Sequence, residues 1–418
     1  MINVNSEIGQ LKMVLVHRPD DGISRISPKR AEELLFDDIV HLPKMQEEHD
    51  SFTDVLRAFI GAENVKEVQT LLEESLADNE DTRLLLIRTA VDNEELSHDM
   101  VTILSKLDNK TLAKVLITGY LKESDHYIFD PIPNFIFTRD IAVSVKDHII
   151  ITKAAKEARS RENLLTRFMF HAHPMFESVR EGDRIINLNH VDQFPPSKKG
   201  EKVSVEGGDV MMLANDFLLV GCSERTTDHA VQSLKKAVFD KGLVKNVVQI
   251  NIPNDRSCMH IDTLFTRISE TDIVCYKPTI FDGTSSNVIV HRVDGNQEIY
   301  SSVRAFFWAE INRDMRFIFA GDGESPYQER EQWTDGCNLV ALRPGVALTY
   351  DRNPLTEKAF KEAGYNVVHA NKLMPEIRKG LITADQVKNT IITLDSSELS
   401  RARGGSHCMT CPIIRESI

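Results

Sequence analysis

The sequence predicts an α/β fold that carries an inserted all-helical segment. Between Pro43 and Pro131 there is no proline, and apolar residues recur there at three- and four-residue spacing, which is helical periodicity. On both sides of this segment, an extended run, a turn, a second extended run and a helix follow one another repeatedly. We therefore predict an α/β domain at 1–64 and 129–418 and a compact helical bundle at 65–128.

The helical segment divides into short amphipathic stretches. Helical spacing is clear in LLEESLADNEDTRLLLIRTAVD and in HDMVTILSKLDNKTLAKVLITGYL. The polar breaks DNED, DNEE and LDNK are typical of helix caps and helix–helix connections.

The flanking repeat contains four predicted β-hairpins. Their turns are expected at Lys146–Asp147, Asn215–Asp216, Glu270–Thr271 and Pro344–Gly345. Helical spacing follows three of them, in RSRENLLTRFMFHAH, TTDHAVQSLKKAVFD and PLTEKAFKEAG, and the last is followed by the strand YNVVHA. An ordinary α+β sheet would explain each element separately. The repetition favours ββαβ units arranged around a pseudo-axis, which would gather the starts of the units at one central site.

Composition limits the classes of partner. The net charge of −13 argues against nucleic acid, because a phosphate-binding surface needs a basic balance, and it favours a small cationic substrate. We expect no secretory signal and no membrane association, because no apolar run approaches the ~18 residues of a membrane helix. The six cysteines are few and scattered, which is not a disulfide framework. These features predict a cytoplasmic protein with reduced thiols.

Acidic, amide or histidine side chains open each predicted hairpin. They are Asp140; Glu206 and Asp209; His260 and Asp262; and Asp335 and Asn338. Polar residues are common at strand starts, so each one alone is explained most simply as structural. Because they recur at the same place in the repeat, we expect them to converge around a pseudo-axis. His260 and Asp262 are two residues apart and would face the same side of a strand.

The stretch RARGGSHCMTCPI places Cys408 and Cys411 in a C-x-x-C spacing. A redox pair normally lies between a strand and a helix N-terminus, but Pro412 and the nearby chain end leave no room for a helix here. A zinc site would need a second pair of ligands at suitable spacing, and no second C-x-x-C occurs. We therefore predict a single nucleophile, Cys408, and a small buried apolar residue, Cys411.

One thiol, one histidine, one glutamate and two aspartates suit a particular chemistry. Paired carboxylates bind a planar cation that offers paired N–H donors, as a guanidinium does. The thiol would attack the guanidinium carbon while histidine and glutamate move protons so that ammonia leaves. This chemistry requires no metal and no cofactor.

The motifs FTRD, EGGD, SERT, MHIDT and GGSHCMTCP occur in this order. With SEIGQLKMVLVHRP near the start of the chain, they resemble arginine deiminase of the guanidine-modifying superfamily, essentially end to end. The helical segment is similar to the extra bundle that separates arginine deiminases from smaller relatives. The resemblance implies a five-bladed α/β propeller of pseudo-repeated ββαβ units, with the all-helical bundle inserted after the helix of the first unit.

The resemblance also implies catalytic roles. Cys408 would be the nucleophile and form a covalent S-alkylthiouronium intermediate. His260 would be the general acid and base, and Glu206 would assist proton transfer and hold the guanidinium. Asp140 and Asp262 would bind the guanidinium nitrogens.

Five further positions match residues with which the family binds substrate. Asn134, Arg161 and Arg225 match the residues that bind the α-carboxylate and neighbouring groups. Phe137 would pack along the substrate, and Arg403 matches a mobile arginine on the loop before the nucleophile. Without the resemblance, Arg161 would be interpreted as an exposed helix residue and Arg225 as the partner of a nearby acid. A pocket with two arginines favours a free α-carboxylate and disfavours agmatine, which lacks one.

The resemblance implies hydrolysis of L-arginine to L-citrulline and ammonia, the first step of the arginine dihydrolase pathway. It also implies a homo-oligomer, either a dimer or a tetramer. Two alternatives stay open. The chain could be a related guanidine-modifying enzyme, namely an agmatine deiminase, a methylarginine hydrolase or an amidinotransferase. It could also be a catalytically silent arginine-binding protein. We assign no role to His407 or Ser406.

Overall fold

The computed structural model describes residues 2–418, apart from the side chain of Glu123. Its strands are β1 Leu11–Val16, β2 Val65–Glu67, β3 Tyr120–Leu121, β4 His126–Tyr127, β5 Ala142–Val145, β6 His148–Ile151, β7 Ile185–Asn187, β8 Val210–Ala214, β9 Phe217–Cys222, β10 Asn246–Asn251, β11 Phe265–Arg267, β12 Asp272–Cys275, β13 Asn287–Arg292, β14 Gln297–Tyr300, β15 Arg316–Phe319, β16 Val340–Arg343, β17 Val346–Tyr350, β18 Asn366–His369, β19 Thr390–Leu394 and β20 Cys411–Arg415. Its helices are α1 Leu42–Ile60, α2 Val68–Asp78, α3 Glu80–Asn93, α4 Asp99–Ser105, α5 Asn109–Thr118, α6 Thr138–Ile141, α7 Ser160–Ala172, α8 Glu177–Glu181, α9 Asp228–Asp240, α10 Val303–Phe306, α11 Tyr327–Trp333, α12 Pro354–Glu362 and α13 Ala370–Arg378.

Five sheets of three or more strands share one arrangement. In the first, β5 and β6 form an antiparallel hairpin, α7 follows, and β7 returns parallel to β6. The sets β8–β9–β10 and β11–β12–β15 repeat this pattern. In the fourth sheet, β19 pairs with β17 in parallel, and β18 lies outside β19. All four predicted hairpins are confirmed.

The fifth sheet joins the two ends of the chain. Strand β20 pairs antiparallel with β1, helix α1 follows β1, and β2 returns parallel to β1. This is the same ββαβ unit, split between the N- and C-terminal segments. The C-x-x-C segment therefore enters a sheet at β20, beside the starts of the other units.

The predicted helical segment, 65–128, contains α2 to α5, but it is not all helical. It begins with β2, which belongs to the fifth sheet, and β3 and β4 pair near its end. The breaks DNED and LDNK act as helix caps, because the Asn79 side chain accepts N–H bonds at the start of α3 and Asp108 does so at the start of α5. The apolar residues of these helices share one hydrophobic cluster with strands of the first sheet and with β20. The segment therefore packs continuously onto the α/β body, and its status as a separate domain remains a prediction.

The described part of the chain contains no helix with both the length and the apolar character needed to cross a bilayer.

Candidate active site

At least one predicted polar residue from each hairpin start lies in, or directly next to, one small buried cavity. Asp140, His260 and Cys408 line this cavity. Glu206 and Asp262 lie directly behind these residues and are fully buried. The remaining lining residues are Leu35, Asn134, Phe137, Arg159, Arg225, Met259, Thr263, Ala402 and Arg403.

Two glycines allow the nucleophile loop to approach its neighbours closely. A Cβ atom at Gly404 would lie 2.3 Å from Cε1 of Phe137. A Cβ atom at Gly405 would lie 2.5 Å from Oδ1 of Asn338. Such separations are far inside van der Waals contact, so the glycine pair permits the geometry that brings Cys408 into the cavity.

The thiol of Cys408 lies in an anionic environment. Its Sγ is 3.4 Å from Oδ2 of Asp262 and 3.2 Å from Nδ2 of Asn338. Burial raises the pKa of the Cys408 thiol well above its usual range, and the carboxylates of Asp262, Asp140 and Asp335 raise it further. The thiol is therefore protonated near neutral pH while the cavity holds no cation.

His260 and Glu206 form a buried ion pair. His260 Nε2 lies 2.9 Å from Glu206 Oε2, and His260 Nδ1 lies 3.8 Å from Asp140 Oδ1. Burial alone would lower the pKa of His260, but the carboxylates of Asp140, Glu206 and Asp209 outweigh burial and raise it to about 10. The imidazole is therefore a proton donor at neutral pH.

Arg159 balances the carboxylates on this side of the cavity. Its Nη1 lies 2.8 Å from Asp140 Oδ2 and 3.3 Å from Glu206 Oε2, and its Nε donates to Glu162 Oε2 at 2.8 Å. Burial would raise the pKa of Glu206, but Arg159 and His260 hold it well below its usual range. Both partners of the histidine–glutamate pair are therefore charged at neutral pH.

Asp209 fixes the loops that carry two of the site residues. Its Oδ1 accepts the N–H of Ile261 at 2.8 Å, next to His260. Its Oδ2 accepts the hydroxyls of Ser223 and Thr226, which flank Arg225. Asp209 is therefore a structural anchor beneath the cavity.

A chain of polar contacts extends behind Asp262. His407 Nδ1 lies 2.8 Å from Asp262 Oδ2, and His407 Nε2 lies 3.3 Å from Glu7 Oε2. Arg139 donates to both oxygens of Glu7 at 3.2 Å. Burial would raise the pKa of Asp262, but His407 outweighs burial and lowers it. The sequence predicts no role for His407. Glu7 and Arg139 lie within the motifs SEIGQLKMVLVHRP and FTRD, but neither motif indicates that the two residues meet behind Asp262.

The structure does not bring Arg161 to the cavity. Its guanidinium points to the helical segment and donates to the carbonyl of Leu116 at 2.8 Å, to Glu94 and to the carbonyl of Asp130. Arg159 lines the cavity instead. Helix α7 begins at Ser160, and residues two positions apart near a helix start point in different directions. The run ARSRE contains both arginines, and both are buried, so the direction of each side chain distinguishes them.

The other predicted substrate-binding residues, Asn134, Phe137, Arg225 and Arg403, all line the cavity. Arg225 Nη1 lies 3.7 Å from Glu206 Oε1. The Arg403 guanidinium carbon lies 3.2 Å from the ring centre of Trp333, a cation–π contact at the edge of the cavity.

Ligand atoms of Asp140, Glu206 and His260 lie within 4.8 Å of one another, as a metal site would require. Arg159 already places positive charge between the two carboxylates, and His260 carries a proton. The group therefore suits an organic cation with N–H donors better than a metal ion.

The family model described as arginine deiminase matches residues 32–415. The chain belongs to the arginine deiminase family. The curated arginine deiminase of Limosilactobacillus fermentum is 33% identical to it, over 100% of this chain and 99% of that protein. The curated arginine deiminase of Rhodococcus erythropolis is 32% identical, over 100% of this chain and 98% of that protein.

Two solved structures share the fold of this chain at low sequence identity. One is SxtG, an amidinotransferase from Microseira wollei, with a TM-score of 0.54 and 12% identity over 100% of this chain and 98% of that protein. Another is a variant of the N-terminal domain of ArgZ bound covalently to a reaction intermediate, with a TM-score of 0.53 and 12% identity over 96% of this chain and 98% of that one. At this identity the likeness concerns the fold alone.

Proposed function

We propose that the chain hydrolyses L-arginine to L-citrulline and ammonia through a covalent intermediate on Cys408. The observation that carries the proposal is a buried thiol surrounded by carboxylates and a protonated histidine, in a member of the arginine deiminase family. A cation held by these carboxylates would offset their charge and lower the pKa of the thiol, which makes the bound substrate part of nucleophile activation.

In the first half of the reaction, Asp140, Asp262 and Glu206 hold the guanidinium through its N–H groups. With the cation bound, the Cys408 thiol releases its proton to solvent. The thiolate then attacks Cζ and forms a C–S bond, and the C=N electron pair moves onto nitrogen. His260 gives its proton to one terminal nitrogen, and the C–N bond breaks to release ammonia. An S-alkylthiouronium remains on the enzyme, and His260 is neutral.

In the second half, water attacks the thiouronium carbon and His260 takes a proton from it. The C–S bond breaks and its electron pair returns to sulfur. The thiolate takes the remaining hydroxyl proton, and citrulline leaves. The proton that the thiol released at the start leaves with ammonia as ammonium. His260 and Cys408 are then in the states in which they began, and one water has been consumed for each ammonia released.

For substrate recognition, we propose that Arg225, Arg403, Asn134 and Phe137 contact the amino-acid end of the substrate. Arg159 takes the place that the sequence analysis gave to Arg161, because Arg159 lines the cavity with these residues. A free α-carboxylate would then contribute to binding, and a substrate without one would bind more weakly.

Three further proposals concern the whole molecule. The five ββαβ sheets would be the blades of a five-bladed α/β propeller, which is supported by their shared arrangement. The chain would act in the cytoplasm without nucleic-acid or membrane partners. It would form a homo-oligomer, which size-exclusion chromatography with light-scattering detection would test.

The functional proposal is tested by incubating purified protein with L-arginine, agmatine or a methylated arginine in parallel. We expect equal amounts of citrulline and ammonia from L-arginine and none in Cys408→Ala. Turnover of agmatine or of the methylated substrate in place of L-arginine would show that the chain catalyses a related guanidine-modifying reaction. Turnover of none of the three would contradict an enzymatic function of this site.

A further inference from the structure

Asn338 lies against the predicted nucleophile, Cys408, and has no part in the reaction steps proposed above. It precedes β16, is fully buried, and has four polar contacts through its side-chain amide. Oδ1 accepts the N–H groups of His407 at 3.1 Å and of Cys408 at 3.2 Å. Nδ2 donates to the carbonyl of Asp262 at 3.1 Å and to Sγ of Cys408 at 3.2 Å.

The partners of this amide determine its orientation. Two backbone N–H donors face Oδ1, and a carbonyl oxygen faces Nδ2. Exchanging the oxygen and nitrogen would put donors against donors and an acceptor against an acceptor. The group that faces the sulfur is therefore an N–H donor.

A donor at this position matters because the surroundings of the sulfur are otherwise acidic. Asp262 is the other polar side chain in contact with Sγ among the described residues, and its carboxylate can accept the S–H but offers no donor to a thiolate. Asp140 and Asp335 add further negative charge near the sulfur. The Nδ2–H of Asn338 is thus the one side-chain donor that the described residues direct at Sγ.

We propose that Asn338 is a catalytic residue that stabilises the thiolate of Cys408 by donating its Nδ2–H to the sulfur. At the same time, its Oδ1 accepts two backbone N–H groups of the nucleophile loop, which keeps the Nδ2–H donor within hydrogen-bond distance of the sulfur. The thiolate forms before attack and again when citrulline leaves, so the same hydrogen bond assists both halves of the reaction. The inference rests on the proposed function for the nucleophilic role of Cys408.

The test measures the thiolate directly and needs no substrate. Iodoacetamide alkylates the thiolate form, and mass spectrometry with fragment ions that separate Cys408 from Cys411 gives the rate at Cys408 from pH 7 to 9. We expect Asn338→Ala to slow alkylation at least about tenfold, the size expected for loss of one hydrogen bond to a charged group. Asn338→Leu retains the packing volume, also lacks the donor, and carries the same expectation if the alanine variant does not fold.

Ser406→Ala is the matched control. Ser406 Oγ bonds the same loop to the carbonyls of Leu348 and Asn338 and accepts the N–H of Val340, without contact to the sulfur. We expect its alkylation rate to stay within about twofold of the unchanged protein.

An unchanged rate in the Asn338 variants would overturn the proposal. A slowing in Ser406→Ala as large as in Asn338→Ala would also overturn it, because loop order rather than the donor would then set the rate. Absence of citrulline from the unchanged protein would count against the proposed function alone, since the alkylation comparison would still decide the effect of Asn338 on the sulfur.

Discussion

The ion pair between His260 and Glu206 offers the sharpest prediction, because one isosteric substitution removes its charge. Glu206→Gln preserves the shape of the side chain and the contact to His260 Nε2 at 2.9 Å. It removes the negative charge that helps to raise the pKa of His260 to about 10. Asp140 remains beside the imidazole, so the pKa should fall without returning to its ordinary value.

The magnitude follows from the strength of such a contact. An opposite charge within about 4–6 Å shifts a pKa by about one to three units. Because Glu206→Gln keeps the contact and removes the charge, the pKa of His260 should fall by about one to three units. The assay is a pH titration by NMR of protein labelled with ¹³C-histidine, with His260→Gln to assign the signal.

The same shift should appear in stability. The pKa of His260 in the folded protein lies above its ordinary value of 6.5, so its protonation stabilises the fold fully below pH 6.5. This contribution is lost as the pH rises toward 10, and in Glu206→Gln the loss should occur at lower pH. The reasoning would be refuted if His260 titrated near pH 6.5 in the unchanged protein, or at the same pH in both proteins.

Two more predictions follow from the positions of the arginines. Arg159→Ala should lower kcat/KM for L-arginine more than a hundredfold, because it leaves the buried carboxylates of Asp140 and Glu206 without their positive partner. Arg161→Ala should lower the free energy of unfolding by about 1.5–3 kcal/mol and change kcat/KM less than threefold. Urea unfolding and steady-state kinetics separate the two effects, and the reverse pattern would show that Arg161 serves the site. Titrating L-arginine into Cys408→Ala should change tryptophan emission, because substrate that contacts Arg403 would draw it away from Trp333. Trp333→Phe should abolish that change. A change that persists in Trp333→Phe would contradict the proposed contact between Arg403 and substrate.

The parts of the fold that depend on local chemistry could be predicted from the sequence. The hairpin at Lys146–Asp147 lies where two extended runs flank the predicted turn. At this turn, Lys146 adopts the left-handed backbone conformation, with a φ of 53°. The caps at Asn79 and Asp108 follow from the same kind of short-range signal. The convergence of the hairpin starts was also predictable, because repetition alone indicates a shared axis.

The parts that depend on distant contacts could not be predicted. His407 contacts Asp262 and Glu7 across 145 and 400 residues of sequence, and no local pattern indicates either contact. Arg159 and Arg161 carry the same charge in the same run, so only the direction of each side chain separates them. These are tertiary properties, and a single sequence contains no periodicity that specifies them.

The charge balance of the site gives one physical explanation for both its selectivity and its chemistry. Asp140, Glu206 and Asp262 lie around a thiol that burial and negative charge keep protonated. Arg159 offsets part of this charge at Asp140 and Glu206. Asp262 lies against the sulfur itself. A planar cation in the cavity would satisfy the carboxylates and lower the pKa of Cys408 at the same moment, so a reactive thiolate would form mainly when a guanidinium is bound. A neutral ligand of the same shape would not produce this effect, which makes substrate charge, and not only substrate fit, a condition for reaction.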